Sequence, residues 1–235
     1  MMRYLMLLLI AVGCTSHKAP IRVGVDPNWN EIDSRGRERY LGGFTQELLL
    51  EISSYDGAPF ELIHANPDSL YDGLARGQYD VVVSALPRYS YNQARYDFSE
   101  NMISLGPVLI VPQTSRIKNL GSIVGSVGLL EGSRDGLLLT PYPNLQMRTY
   151  PSVAALLEAV ARGETQGGLL DRLTAQGFVN DLYAGQLRIA TAPLTEEGIH
   201  FTAPKDNPYM QRLETAVKSL RKKKKLQALR AKWGL

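Results

Sequence analysis

Apolar and polar positions alternate first over 21–25 (Ile21-Arg22-Val23-Gly24-Val25), a strand stopped by Asp26-Pro27. A polar loop over 28–39 follows, turning at 34–36. Phe44, Leu48, Leu49 and Ile52 then recur at helical spacing, so 44–54 reads as a helix. Residues 56–59 break it, and 60–63 reads as a second strand. A short helix over 68–76 closes at Gly77. The run 79–85 is almost continuously apolar and β-branched, the pattern of a strand covered on both faces. A strand–helix–strand–helix–strand order implies a parallel sheet with right-handed crossovers.

A similar pattern recurs further on. Strands are expected at 126–130, 146–150 and 166–170, with helices opening at 133–139 and running over 153–162 to Gly163. The chain then returns through 187–192 and 198–202 and ends in one long helical segment, 207–233. The reading is an α/β protein of two lobes, the first interrupted by the second: 20–107 with 194–235, and 112–188, joined by crossovers at 108–111 and 189–193. Ligands of open α/β sheets sit beyond the carboxyl ends of the strands, so two facing sheets predict a ligand cleft between the lobes.

Composition changes the picture little. With 44% hydrophobic and 21% charged residues among 235, the bulk of the chain has enough apolar surface to fold. A net charge of +3 gives no argument for nucleic acid as a partner. The N-terminus is more informative. Residues 1–14 read MMRYLMLLLIAVGC, with Arg3 ahead of an apolar run, 5–12, too short for a bilayer core of about 30 Å. This is the pattern of a signal peptide. Cys14, behind Ala11-Val12-Gly13, resembles the bacterial lipobox, in which the cysteine is acylated and becomes the mature N-terminus. A plain secretory leader with an incidental cysteine is the other reading. Cys14 is the sole cysteine, so an intramolecular disulfide is excluded. The expectation is an exported protein, lipid-anchored at the cell membrane on its periplasmic or extracellular face.

Little else carries catalytic chemistry. His17, His64 and His200 show no metal-ligand spacing, and no phosphate loop, nucleotide fingerprint or Ser-His-Asp arrangement is present, so no metal or cofactor is expected. The basic run 221–225 reads as a solvated helix face, with attraction to an anionic membrane as the alternative.

Seven segments stand in a telling order: IRVGVD, LGGFTQELLLEIS, DSLYDGLARGQYDVVVSAL, RYDFSENM, VGLLEGSRDG, YPSVAALLEAVARGETQGGLLDR, and the ending NPYMQRLETAVKSL…LQALRAKWG with its Lys-Trp pair. Together they resemble the bacterial extracellular solute-binding proteins of family 3, the polar-amino-acid receptors of ABC importers. The resemblance implies a type II periplasmic-binding-protein-like fold. It also implies a monomer that closes on a small polar solute, an amino acid or related amine, and delivers it to an ABC permease without chemistry.

It carries site residues as well. Asp171 matches the family's ammonium-binding Asp, and its competing assignment is N-cap of a helix over 172–180. Ser84, Ala85 and Leu86 lie where the family presents a hydroxyl and backbone N–H groups to the solute's carboxylate. The family's bidentate arginine should fall at Asn92, whose amide cannot replace that charge. Arg88 and Arg95 flank the gap; Arg134 stands at the mouth of the second lobe behind Gly132-Ser133, which could add N–H donors at a helix start. Each is a candidate replacement anchor or a solvated arginine. Trp29 matches an aromatic that stacks on the ligand, and Asp26 a position contacting cationic side chains; together they would hold an amine or guanidinium. Their alternatives are a lobe-surface anchor and a turn residue. Cyclohexadienyl dehydratases are similar to this family and use a protonated cleft carboxylic acid, for which Asp26, Glu131 and Asp171 are the candidates. A sensory binding protein without a permease is the remaining reading.

Overall fold

The computed structural model describes residues 19–32 and 36–235, so the expected leader and Cys14 lie outside the described residues. The first part of the chain runs β1 (Ile21–Val25), α1 (Glu38–Asp56), β2 (Phe60–His64), α2 (Leu70–Ala75), β3 (Val81–Ser84), α3 (Ser90–Gln93), β4 (Tyr96–Phe98) and β5 (Ile103–Ser104). The middle holds β6 (Pro107–Pro112), β7 (Ser126–Leu130), β8 (Gln146–Tyr150), α4 (Val153–Ala161), β9 (Gly167–Asp171), α5 (Arg172–Asn180) and β10 (Leu187–Ile189). The chain ends with β11 (Gly198–Pro204), α6 (Met210–Lys222) and α7 (Lys225–Trp233). No helix among the described residues is long and apolar enough to cross a membrane.

The strands form two sheets. In the first, β2, β1 and β3 are parallel neighbours, as the alternation implied, but β11 then adds antiparallel to β3 and carries β4 and β5 on its far edge. The second has the order β10-β6-β9-β7-β8, with β7 parallel to β8 and β9, and β6 antiparallel to β9 and β10. Each sheet is covered on both faces. In the first, α1, α6 and α7 close one core around Phe44, Leu48, Ile52 and Phe201, while α2 closes the other around Leu70, Leu74 and Val82.

Helix α1 begins earlier than periodicity suggests because Leu41 and Thr45 extend its buried face. It stops at Gly57, whose φ of +70° supplies the left-handed cap that other residues adopt at a cost. Gly43 lets α1 meet α7: a Cβ there would stand 2.2 Å from the Trp233 ring. The Lys232-Trp233 pair then clamps onto Glu47, which accepts from Lys232 Nζ at 2.7 Å and from Trp233 Nε1 at 2.9 Å.

Two expectations need correction. The stretch 108–111 is not a connector but the interior of β6, every residue of it buried between β9 and β10. The chain instead passes between the sheets at 105–106 and 195–197, side by side: the N–H groups of Leu105 and Gly106 both donate to the Glu197 carbonyl, at 2.9 and 3.3 Å. The final helix is not continuous either. It breaks at Lys224, which adopts φ +59°, so that Leu220 and Leu226 can both enter the core across a run of cations that must stay in water.

Candidate functional site

The strand ends nearest the crossings hold most of the candidate residues. Asp26 ends β1 and is buried, with both carboxylate oxygens engaged: Oδ1 accepts from Asn28 N at 2.9 Å, and Oδ2 from Asn30 N at 2.7 Å and Asn30 Nδ2 at 3.1 Å. These bonds shape the loop that follows, which is the turn role. Trp29 sits in that loop at φ +51° and is only 2% exposed, in one apolar cluster with Leu41, Phe44 and Leu173. A stacking surface presented to a ligand is therefore corrected to a core side chain, driven inward by the area an indole buries. Its indole N–H has no partner among the described residues.

At the end of β3, Ser84 stands opposite His200 of β11 in the sheet register. His200 is 1% exposed; its Nε2 lies 3.1 Å from the Leu86 carbonyl and its Nδ1 3.1 Å from Thr202 Oγ1. A carbonyl only accepts, so the proton belongs on Nε2 and Nδ1 accepts from Thr202. Ser84 Oγ, 3.1 Å from Thr202 Oγ1, extends the chain. Burial, with the nearby Arg88 charge, pushes His200 down to about 4, and Phe98 meets its ring edge-on at 5.1 Å.

The sign of the resulting pH dependence is fixed. A histidine with a depressed folded-state pKa contributes stability that is complete above its unfolded value of 6.5 and lost as pH falls toward 4. Between pH 7 and pH 4.5, urea titrations are expected to show a loss of about 2.5 kcal/mol that His200→Gln abolishes. An equal loss in the variant would assign the acid sensitivity to other groups.

The candidates at 88–95 are only partly committed: Arg88 Nε is buried without a partner among the described residues, and Arg95 is exposed. Arg88 Nη2 donates to the Ser99 carbonyl at 2.6 Å and to Asn101 Oδ1 at 2.8 Å. Asn92 is buried, and its amide donates to the Pro87 carbonyl at 2.8 Å, fastening α3 to the strand end. Arg95 lies over the Tyr96 ring at 5.6 Å. A cavity of about 190 Å³ opens beside them, between Leu86, Arg88, Glu196 and His200.

The second sheet contributes Asp171, at the end of β9 and opposite Pro107 in the register, one residue past the crossing. Its Oδ1 accepts from Thr174 N at 2.9 Å and caps α5, while its Oδ2 has no hydrogen bond among the described residues. Ser133 caps a short 3-10 helix, Arg134–Leu139, by accepting from Asp135 N at 3.1 Å. Arg134 is exposed and pairs with no carboxylate among the described residues. Its neighbour Asp135 is pushed up, first by burial and then by the Asp171 charge, against the hydrogen bond from Ser133. Glu131, a candidate acid of the dehydratase reading, is exposed.

Sequence reasoning missed Glu31 and Tyr71. Glu31 reaches from the β1 loop to the end of β3: Ala85 N–H donates to its Oε2 at 2.7 Å, and the Tyr71 hydroxyl donates to its Oε1. Although the residue as a whole is exposed, loss of hydration at its carboxyl pushes its pKa up against those two hydrogen bonds, and the Asp26 charge adds to the rise. The available signal was a second acid five positions after Asp26 in a loop that must return toward the strand ends.

Comparison with known proteins places this architecture. The L-cystine solute receptor of Neisseria gonorrhoeae in its unliganded open conformation superposes with a TM-score of 0.71 at 22% identity, over 91% of this chain and 92% of that one. The second substrate-binding domain of a putative amino acid ABC transporter from Streptococcus pneumoniae gives 0.68 at 17% identity, over 92% and 100%. An ancestral cationic amino acid solute-binding protein gives 0.59 at 20% identity, over 92% and 96%. A search of curated proteins finds no match. The fold is thus that of the two-lobed type II periplasmic binding proteins. The model of the bacterial extracellular solute-binding proteins, family 3, matches residues 21–235, and the chain belongs to that family.

Proposed function

We propose that the protein is an extracytoplasmic receptor that encloses one small polar solute, an amino acid or related amine, between its lobes and passes it unchanged to an ABC importer. The observation that carries this reading is the placement of polar groups from both sheets beside one pair of crossing segments. Ser84 and Ala85 end β3 against β11, which starts at Gly198 just after the second crossing; Asp171 ends β9 opposite Pro107, just after the first. Rotation about 105–106 and 195–197 would bring these strand ends together, the hinge closure open to two sheets joined by adjacent connectors. Lobes of 20–106 with 195–235, and 107–194, follow from that hinge. Export behind a leader and an acylated Cys14 would keep a single-chain receptor beside its permease.

Carriage rather than catalysis is favoured by how the acids are held. A general acid must donate a proton, whereas Asp26 and Asp171 accept from backbone N–H groups. In place of stacking on Trp29, the solute would lie against Asp135 and Asp171, with Ser84, Ala85 and Leu86 across the cleft. The testing experiment is a thermal-shift screen of small polar compounds, followed by recovery of the bound compound in unchanged form.

A further inference from the structure

The receptor reading leaves the solute's chemistry open, and the loop after β1 narrows it. The backbone N–H of Ala85 projects just past the carboxyl end of β3, where ligands of open α/β sheets find their donors. That donor is occupied by the protein's own carboxylate, since Glu31 Oε2 accepts it at 2.7 Å while Tyr71 holds Oε1. The charge acting on Glu31 is a second acid, Asp26. Of the groups nearby that could take a solute carboxylate, Arg88 commits its Nη2 to Ser99 and Asn101, and Asn92 its amide to Pro87. An incoming carboxylate would therefore compete with Glu31 for that N–H. Two carboxylates sharing one site cannot both stay ionised without a large cost.

Resting on the receptor reading, we infer that Glu31 is the specificity residue of the cleft, filling its anion subsite from within, so that the solute is an organic cation without a carboxylate, a diamine or guanidino-amine. Each oxygen of Glu31 keeps a lone pair after accepting its one bond, so the same carboxylate that excludes an anion can accept from an ammonium or guanidinium. On the other lobe, Asp171 ends β9 with its Oδ2 free of hydrogen bonds among the described residues, an acceptor for a second cationic end. A cation with charges at both ends matches acids on both lobes; a zwitterion matches one end only.

The test uses pairs of compounds differing only by the carboxylate: ornithine and putrescine, lysine and cadaverine, arginine and agmatine. Calorimetric titration of the purified protein is expected to show the carboxylate-free member bound about tenfold or more tightly. Glu31→Ala, checked for folding by its melting transition, should bare the Ala85 N–H and shrink that preference by about tenfold. Glu31→Gln still accepts from Ala85, so it should keep excluding amino acids while binding the amines more weakly. Wild-type preference for the amino acids overturns the inference without any variant, as does a preference that Glu31→Ala leaves unchanged. If no member of any pair binds, the inference is also overturned; the receptor reading then survives only where another polar solute binds in the wider screen.

Discussion

Replacing Asp171 by Asn is expected to leave stability near wild type and to weaken solute binding by about 30-fold or more. The two roles of this side chain separate because they use different properties of it. Capping α5 needs an acceptor at Oδ1 for the Thr174 N–H, and an asparagine carbonyl provides one. Holding a cationic group needs the negative charge, which only the carboxylate has, and Oδ2 is the oxygen left free for it. Removing one partner of a desolvated, charge-assisted pair costs about 2–5 kcal/mol. Asp171→Ala should show the same affinity loss together with about 1 kcal/mol of destabilisation from the missing cap. Wild-type affinity in Asp171→Asn, measured by calorimetry, would reduce Asp171 to a helix cap.

The second large effect falls on stability and not on binding. Trp29→Ala should cost about 3–5 kcal/mol in the solute-free protein, because a whole indole leaves a closed cluster that includes Leu41, Phe44 and Leu173. For a chain of this size the melting temperature should fall by roughly 6–20 °C. Trp29→Phe should cost less than about 1.5 kcal/mol, since it keeps most of the apolar body and discards an indole N–H with no partner among the described residues. If Trp29→Ala melts like wild type and only binding suffers, the ring is a ligand contact after all. Leu173 raises the interest of this position, because α5 follows Asp171 and packs its first turn into the first lobe's core. Loosening that contact alters how the lobes meet.

The strands at 21–25, 126–130 and 146–150 stand where alternation places them, because each is an uninterrupted run between clear turn signals. The helix over 172–180 was legible as well, and the N-cap weighed against the ligand role of Asp171 is a bond its side chain does make. What stayed hidden came from long-range packing. Residues 108–111 lie between two prolines and resemble a linker, yet four aliphatic residues in a row need partners, and β9 and β10 pair with them from far along the chain. Likewise, nothing local marks 198–204 as the strand inserted antiparallel beside β3. His200, dismissed for lack of metal-ligand spacing, becomes the hub of a buried hydrogen-bond chain because β11 lays it opposite Ser84.

In the candidate site, residue identity was legible and side-chain commitment was not. The missing arginine at Asn92 could be seen at once; that Arg88 is spent on Ser99 and Asn101, and that Glu31 crosses to Ala85, depends on tertiary distances that no spacing encodes. Trp29 misled for a physical reason. An aromatic in a loop beyond a strand end can face the cleft or the core, and the choice rests on a left-handed backbone turn at a residue type that seldom adopts one.

The central claim, that this chain binds a small polar solute and does not transform it, is tested most directly by a thermal-shift screen of the purified protein. The panel should span amines, polyamines, amino acids, opines and small carboxylates, with each hit recovered and weighed by mass spectrometry. A solute at a hundred times its dissociation constant should add about 2.7 kcal/mol, a shift of several degrees. The account predicts stabilisation confined to amine-bearing compounds, each recovered at unchanged mass. Stabilisation by carboxylates lacking an amine, or conversion of prephenate or arogenate with loss of water and carbon dioxide, would contradict it.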